Sequence, residues 1–161
     1  MCLYIYLFIY YRDMEVLFMN KNEFELLKYQ IELLKKMVTI DENPLYDYMI
    51  DYNITREQHN IFIDILSAFS LQLKRQSEQL AKDGVKYFES HKESMLSKYS
   101  HLDTTVLKEL SLENAPTYEV FSSLINKFLP EDVEPLTLLK RTNRQGIYTD
   151  ICDHLISASQ K

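Results

Sequence analysis

The chain has 161 residues, 46% hydrophobic and 26% charged, with two glycines, four prolines and a formal net charge of −6. That balance supplies one domain's core and excludes both a disordered chain and a turn-rich β fold. The acidic sum argues against bulk affinity for DNA or an anionic bilayer, while leaving room for a basic partner.

Residues 1–18, MCLYIYLFIYYRDMEVLF, open on an apolar run from Leu3 to Tyr11. The run is about half of the ~20 residues a transmembrane helix needs. No Lys or Arg precedes it, as a signal peptide would require, and Arg12-Asp13 follow it. Met14-Glu15-Val16 can be encoded ATG-GAG-GTN, which contains the ribosome-binding sequence GGAGG at a suitable distance before the ATG of Met19. The expectation is therefore that Met19 is the native start and that 19–161 form a single helical domain. A short membrane-surface anchor and an extra core-packing segment are the alternatives. Cys2 and Cys152 form no metal-binding or redox spacing, which fits a reducing cytoplasm.

The first helix is expected over about 22–39. Asn22 and Glu25 suit a capping box. Phe24, Leu27, Ile31, Leu34 and Val38 then make a stripe at alternating spacings of three and four, widened by Leu26, Leu33 and Met37. Asn43-Pro44 is a stop and restart, because proline suits a first helical position. A short helix Pro44–Tyr52 follows, with Leu45, Tyr48, Met49 and Tyr52 on its buried side and Asn53 closing it.

Thr55 and Gln58 form a second capping box and open a long helix over about 56–82. Its stripe is Phe62, Leu66, Phe69, Leu73 and Leu80, interrupted by Gln76 and flanked by Ile61, Ile65 and Ala68. Gly84 is the expected cap. Helical segments follow at 85–94 and 95–99, and a short one from Asp103 or Thr104 through Leu110. Pro116 breaks the chain. The next helix, Thr117–Leu129, presents Val120, Phe121, Leu124, Ile125 and Phe128. One over about 133–143 presents Val133, Leu136, Leu138 and Leu139, and Gly146 ends it. The last, about 147–158, buries Ile147, Ile151, Leu155 and Tyr148. The fold class is all-α: a multi-helix bundle with two long heptad-like helices and several shorter C-terminal ones.

Two blocks carry a family resemblance. The first runs through Phe24-Glu-Leu-Leu-Lys-Tyr-Gln-Ile-Glu-Leu-Leu34, Asn43-Pro44-Leu45-Tyr46 and Asp51-Tyr-Asn-Ile-Thr-Arg-Glu-Gln58. The second takes in Val120-Phe-Ser-Ser-Leu-Ile-Asn126, residues 134–139 and Gln145-Gly-Ile-Tyr148. With its proline-tyrosine junction between helices and its late Q-G-x-Y, the chain resembles the YhaI-like family of uncharacterised small all-helical bacterial proteins. Residues 87–116 look longer than the family pattern. The resemblance implies a cytoplasmic, self-associating helical protein and no catalytic residues.

The chemistry-bearing residues point the same way. Gly84 and Gly146 stand apart, so no glycine-rich phosphate loop is present. Asp150 and His154 lie four apart on one helix, a spacing that suits a surface pair better than a metal site lacking further donors. Cys152 has no activating neighbour in sequence. No catalytic residue, cofactor or metal site is expected. Lys74-Arg75, Lys82, Lys86 and Lys92, with Lys140-Arg141 and Arg144, are basic spots. The first group is interleaved with Glu78, Asp83, Glu89 and Glu93, as on a solvated mixed-charge face.

Tyr46, Tyr48 and Tyr52 with Asp47 and Asp51 form a tyrosine-acid cluster suited to contact, since tyrosine offers area and a polar tip at low entropy cost. The candidate interface is therefore Tyr46, Tyr48, Met49, Tyr52, Leu27, Ile31, Leu34, Phe62, Leu66 and Phe69. The leading expectation is a non-enzymatic interaction protein that forms a homo-oligomer, meets an unidentified protein partner and does not enter a membrane. A nucleic-acid-associated regulator and a mobile-element-encoded inhibitor of a host protein are the alternatives.

Overall fold

The computed structural model describes residues 24–29, 31, 34, 35 and 42–160. Every regular element among them is an α-helix, so the fold is all-α. The chain divides into two units, Met1–Glu42 and Asn43–Lys161. The division falls at the Asn43-Pro44 restart, which in sequence reads as a helix stop. In the first unit, residues 24–29, 31, 34 and 35 are helical, as the stripe predicts. Asn22, Val38 and the proposed start at Met19 lie outside the described residues.

The second unit begins with α1, Pro44–Asp51, with proline in its first turn. Asn43 takes the N-cap position, but its side chain makes no capping bond. A residue a hundred positions away supplies one instead: Gln145 Oε1 accepts from the Leu45 amide at 2.8 Å. At the other end, Asn53 adopts a left-handed φ of 51°. Its N–H donates to Ile50 O, and the Ile54 N–H donates to Met49 O at 2.9 Å. This pair of bonds is the left-handed helix stop that the Asn predicts.

Next comes α2, Arg56–Gln76, opened by a complete capping box. Gln58 N–H donates to Thr55 Oγ1 at 3.2 Å, and Thr55 N–H donates to Gln58 Oε1 at 2.9 Å. The helix does not run on to residue 82. Ser77 Oγ turns back to donate to the carbonyls of Leu73 and Lys74, competing with the backbone ladder. Glu78 then adopts φ 57°, with Glu78 N–H donating to Arg75 O and Gln79 N–H to Lys74 O. This is the same left-handed stop, built on a residue that does not favour it.

Gly84, expected as the cap, instead lies in the first turn of α3, Lys82–Lys98. A Cβ there would stand 2.4 Å from Leu80 Cδ1, so the glycine admits the leucine. Because Glu78 is exposed and pays a left-handed penalty of about 1–2 kcal/mol, Glu78→Gly should stabilise the fold. The expected net gain is about 0.5–1 kcal/mol after glycine's greater chain entropy. A chemical denaturation midpoint that falls would contradict that assignment.

The α3 helix is continuous where the sequence suggests two segments. It buries Phe88 and Met95, and Tyr99 is buried just beyond its end. Thr105–Lys108 form α4, a single turn that stops before Leu110. Asp103 holds its start, accepting from Thr105 N–H at 3.1 Å and Thr105 Oγ1 at 2.6 Å.

Tyr118–Phe128 form α5, where Thr117 accepts from the Val120 amide. Phe121, Leu124, Ile125 and Phe128 are buried, but Val120 is 43% exposed rather than in the core. It falls about 100° off their stripe, one residue too early. Pro135–Arg144 form α6, ended by Gly146 at φ 78°. Thr149–Ala158 form α7 behind Tyr148 at φ 49°.

The core follows from these faces. α2 lies at its centre, against α3, α5 and α7, while α6 joins α1, α5 and α7. Phe62, Ile65, Leu66 and Phe69 from α2 are fully buried with Phe121, Leu124, Ile125, Leu138, Leu139, Ile151 and Leu155. Each such side chain contributes about 1.5–3 kcal/mol of burial.

Candidate interaction surface

The first unit carries the more exposed part of the expected interface. Phe24, Leu27, Ile31 and Leu34 are 64%, 57%, 45% and 58% exposed. On a helix these four fall within one sector, the geometry of a contact seam. Leu26 and Tyr29 are also exposed, away from that sector.

In the second unit the tyrosine-acid helix divides. Tyr46 and Ile50, four apart on α1, face outward, and the Tyr46 ring meets His59 edge-on at 6.2 Å. Burial holds the His59 imidazole below its ordinary pKa. Tyr48 and Met49 turn inward and are buried. The Tyr48 hydroxyl accepts from Glu134 N–H at 3.0 Å, and its ring lies 4.4 Å from that of half-buried Tyr52. Burial raises the Tyr48 phenol above its ordinary range.

Five expected interface residues are therefore interior. Tyr48 and Met49 pack beneath α1, while Phe62, Leu66 and Phe69 are wholly enclosed within the second unit. A fully buried side chain has no surface left to offer a partner. Tyr46, Leu27, Ile31 and Leu34 remain exposed.

The part of the first resemblance block from Asn43 onward meets the second block within this unit. α1 packs on α6, tied by Leu45 N–H to Gln145 and by Tyr48 to Glu134. Gln145 and Glu134 thus have structural roles at the start and side of α1.

The basic spots are partly engaged. Arg75 pairs with Glu113 at 3.5 Å, and Lys92 Nζ donates to Leu110 O at 2.5 Å. Among the described residues, no three His, Cys, Asp or Glu side chains are grouped to hold a metal ion. His154 Nε2 instead meets Pro116 O at 3.1 Å.

Cys152 is fully buried, and desolvation pushes its thiol up to about 12 from an ordinary 9.0. It is protonated at neutral pH, so a thiol reagent should label it only as fast as the protein unfolds. Labelling of Cys152 at the rate of a free thiol in the native Cys2→Ser variant would contradict its burial. The raised pKa also contributes stability that is whole below pH ~9 and is lost as pH rises towards ~12.

Gln72 is a residue the sequence reading passed over. It is 2% exposed on α2, and its Nε2 donates to Ser111 O at 2.7 Å. Its position three residues after Phe69, on the apolar stripe, was the available signal. No helix among the described residues is long and apolar enough to cross a membrane. Comparison with family models, curated proteins and solved structures finds no match to this chain.

Proposed function

We propose that this is a non-enzymatic, helical interaction protein that self-associates through Phe24, Leu27, Ile31 and Leu34. The reading places it in the bacterial cytoplasm, in keeping with its cysteine usage and its resemblance to the YhaI-like family. The observation that carries it is the exposure of all four side chains at seam spacing. These side chains are already about half covered, so burying the rest gives roughly 3–7 kcal/mol per helix, or roughly 6–13 kcal/mol for a pair. That is comparable with the ~4–15 kcal/mol that association costs in lost freedom, so pairing through this seam is energetically feasible. A single helix of this length is marginal alone in water and gains most from a partner.

Light scattering of the full chain tests the reading. The wild type should form a dimer or higher oligomer. Leu27→Glu with Ile31→Glu should shift it towards monomer while the thermal transition of the second unit stays in place. A monodisperse wild-type monomer at micromolar concentration would end the proposal. The nucleic-acid alternative gains no support from Arg75 and Lys92, whose charges already meet Glu113 and a main-chain carbonyl.

A further inference from the structure

The exposed seam of the first unit also carries a direction. Phe24, Leu27, Ile31 and Leu34 all lie on helical backbone and all face outward. Their spacings of three and four assign them to a, d, a and d of a heptad. Ile31 at a, with Leu27 and Leu34 at d, is a combination that gives two strands when coiled helices run parallel. In the same heptad Lys28 and Lys35 occupy the e positions, Lys28 exposed and Lys35 half-exposed. In sequence, Glu23 stands five residues before Lys28 and Gln30 five before Lys35, which is g spacing.

These flanks distinguish the two ways a pair of such helices can run. Antiparallel helices set e against e, and both e residues here are lysines, so every contact on that flank would repel. The charges would stand closer than the ~10 Å over which 0.1 M salt screens them. Parallel helices set g against e. Glu23 would then meet Lys28 of the second copy, and uncharged Gln30 would meet its Lys35.

We propose that the seam docks a second copy of this chain in parallel and in register, with Phe24 opposite Phe24 and Leu34 opposite Leu34. The inference rests on the self-association reading and adds the partner's direction.

Cysteine pairing in the full chain reads that direction, with Cys2→Ser as background and Cys152 buried. Phe24 and Leu34 stand about 15 Å apart along a helix, beyond the ~4.4–6.8 Å between Cα atoms that a disulfide spans. In a glutathione redox buffer, Phe24→Cys alone and Leu34→Cys alone should each form a covalent dimer. In an equimolar mixture of the two, like-with-like disulfides should exceed the mixed one about ten-fold. An excess of the mixed disulfide would overturn the direction while leaving self-association in place. A wild-type monomer by light scattering would end self-association, and the direction with it.

A second measurement leaves the apolar seam intact. Lys28→Glu with Lys35→Glu is mixed with tagged wild type at low salt, and the mixed pairs are counted by native mass spectrometry. Parallel pairing gives one attractive and one repulsive flank, so mixed pairs should not exceed their statistical share. Antiparallel pairing would set lysine against the introduced carboxylates on the e flank. Mixed pairs well above the statistical share would overturn the proposal.

Discussion

Phe62→Ala is expected to remove about 3–5 kcal/mol of folding free energy, the range for deleting an enclosed aromatic ring. Phe62 is 0% exposed at the centre of the core, so neighbouring rings and leucines cannot all collapse into the space it leaves. Against a total stability of ~5–15 kcal/mol for an ordinary domain, that loss leaves much of the population unfolded at modest temperature. Leu27→Ala is the control, because Leu27 is 57% exposed and should change the stability of the second unit by less than ~0.5 kcal/mol. Urea denaturation of both variants separates a core position from a seam position. A Phe62→Ala loss below ~1 kcal/mol would show that the ring is not packed as described.

Tyr99→Phe is the second large effect. The Tyr99 ring is wholly buried, and its hydroxyl donates to Asp64 Oδ2 at 2.6 Å. The same oxygen accepts from Lys98 Nζ at 3.0 Å, so the carboxylate ties the end of α3 to α2. Hydrogen bonds to a charged group are worth about 1.5–3 kcal/mol, and removing this hydroxyl should cost that much. The denaturation midpoint should fall with an unchanged slope, since the exposed surface of the unfolded chain is the same.

Burial, then the Asp64 bond, raises the Tyr99 phenol well above its ordinary pKa. Its contribution is therefore whole below the ~10 at which an unfolded tyrosine ionises, and is lost as pH rises beyond it. The variant should show a weaker alkaline decline than the wild type. A midpoint within error of wild type would contradict the hydrogen bond.

Several features of the fold were legible because one residue type dictates one geometry. Pro44 starts α1, the Thr55 and Gln58 pair opens α2, and Asn53 and Gly146 adopt the left-handed stops their chemistry favours. Glu78 was not legible, because nothing in a glutamate announces φ 57°. Its conformation is imposed by Ser77 and by the carbonyls at the end of α2. Gly84 attracted the cap assignment for the same reason in reverse: it is glycine for Leu80, not for a turn.

The interface was only half legible. A stripe such as Phe62, Leu66 and Phe69 reads identically whether it packs on its own chain or on another molecule. Only the tertiary arrangement assigns it inward, while Leu27, Ile31 and Leu34 stay exposed. Gln145 could not be foreseen as the partner of Leu45, since nothing local links residues a hundred positions apart.

That bond also sets an order on synthesis. A ribosome adds about 5–20 residues per second, so about 5–20 s separate the appearance of Leu45 from that of Gln145. Throughout that interval the amide end of α1 must be satisfied by water or by a substitute. The nascent chain thus holds its proline-started helix open until α6 has emerged. The start of the second unit is among the last parts of that unit to be locked, although it is the first part of it to be made.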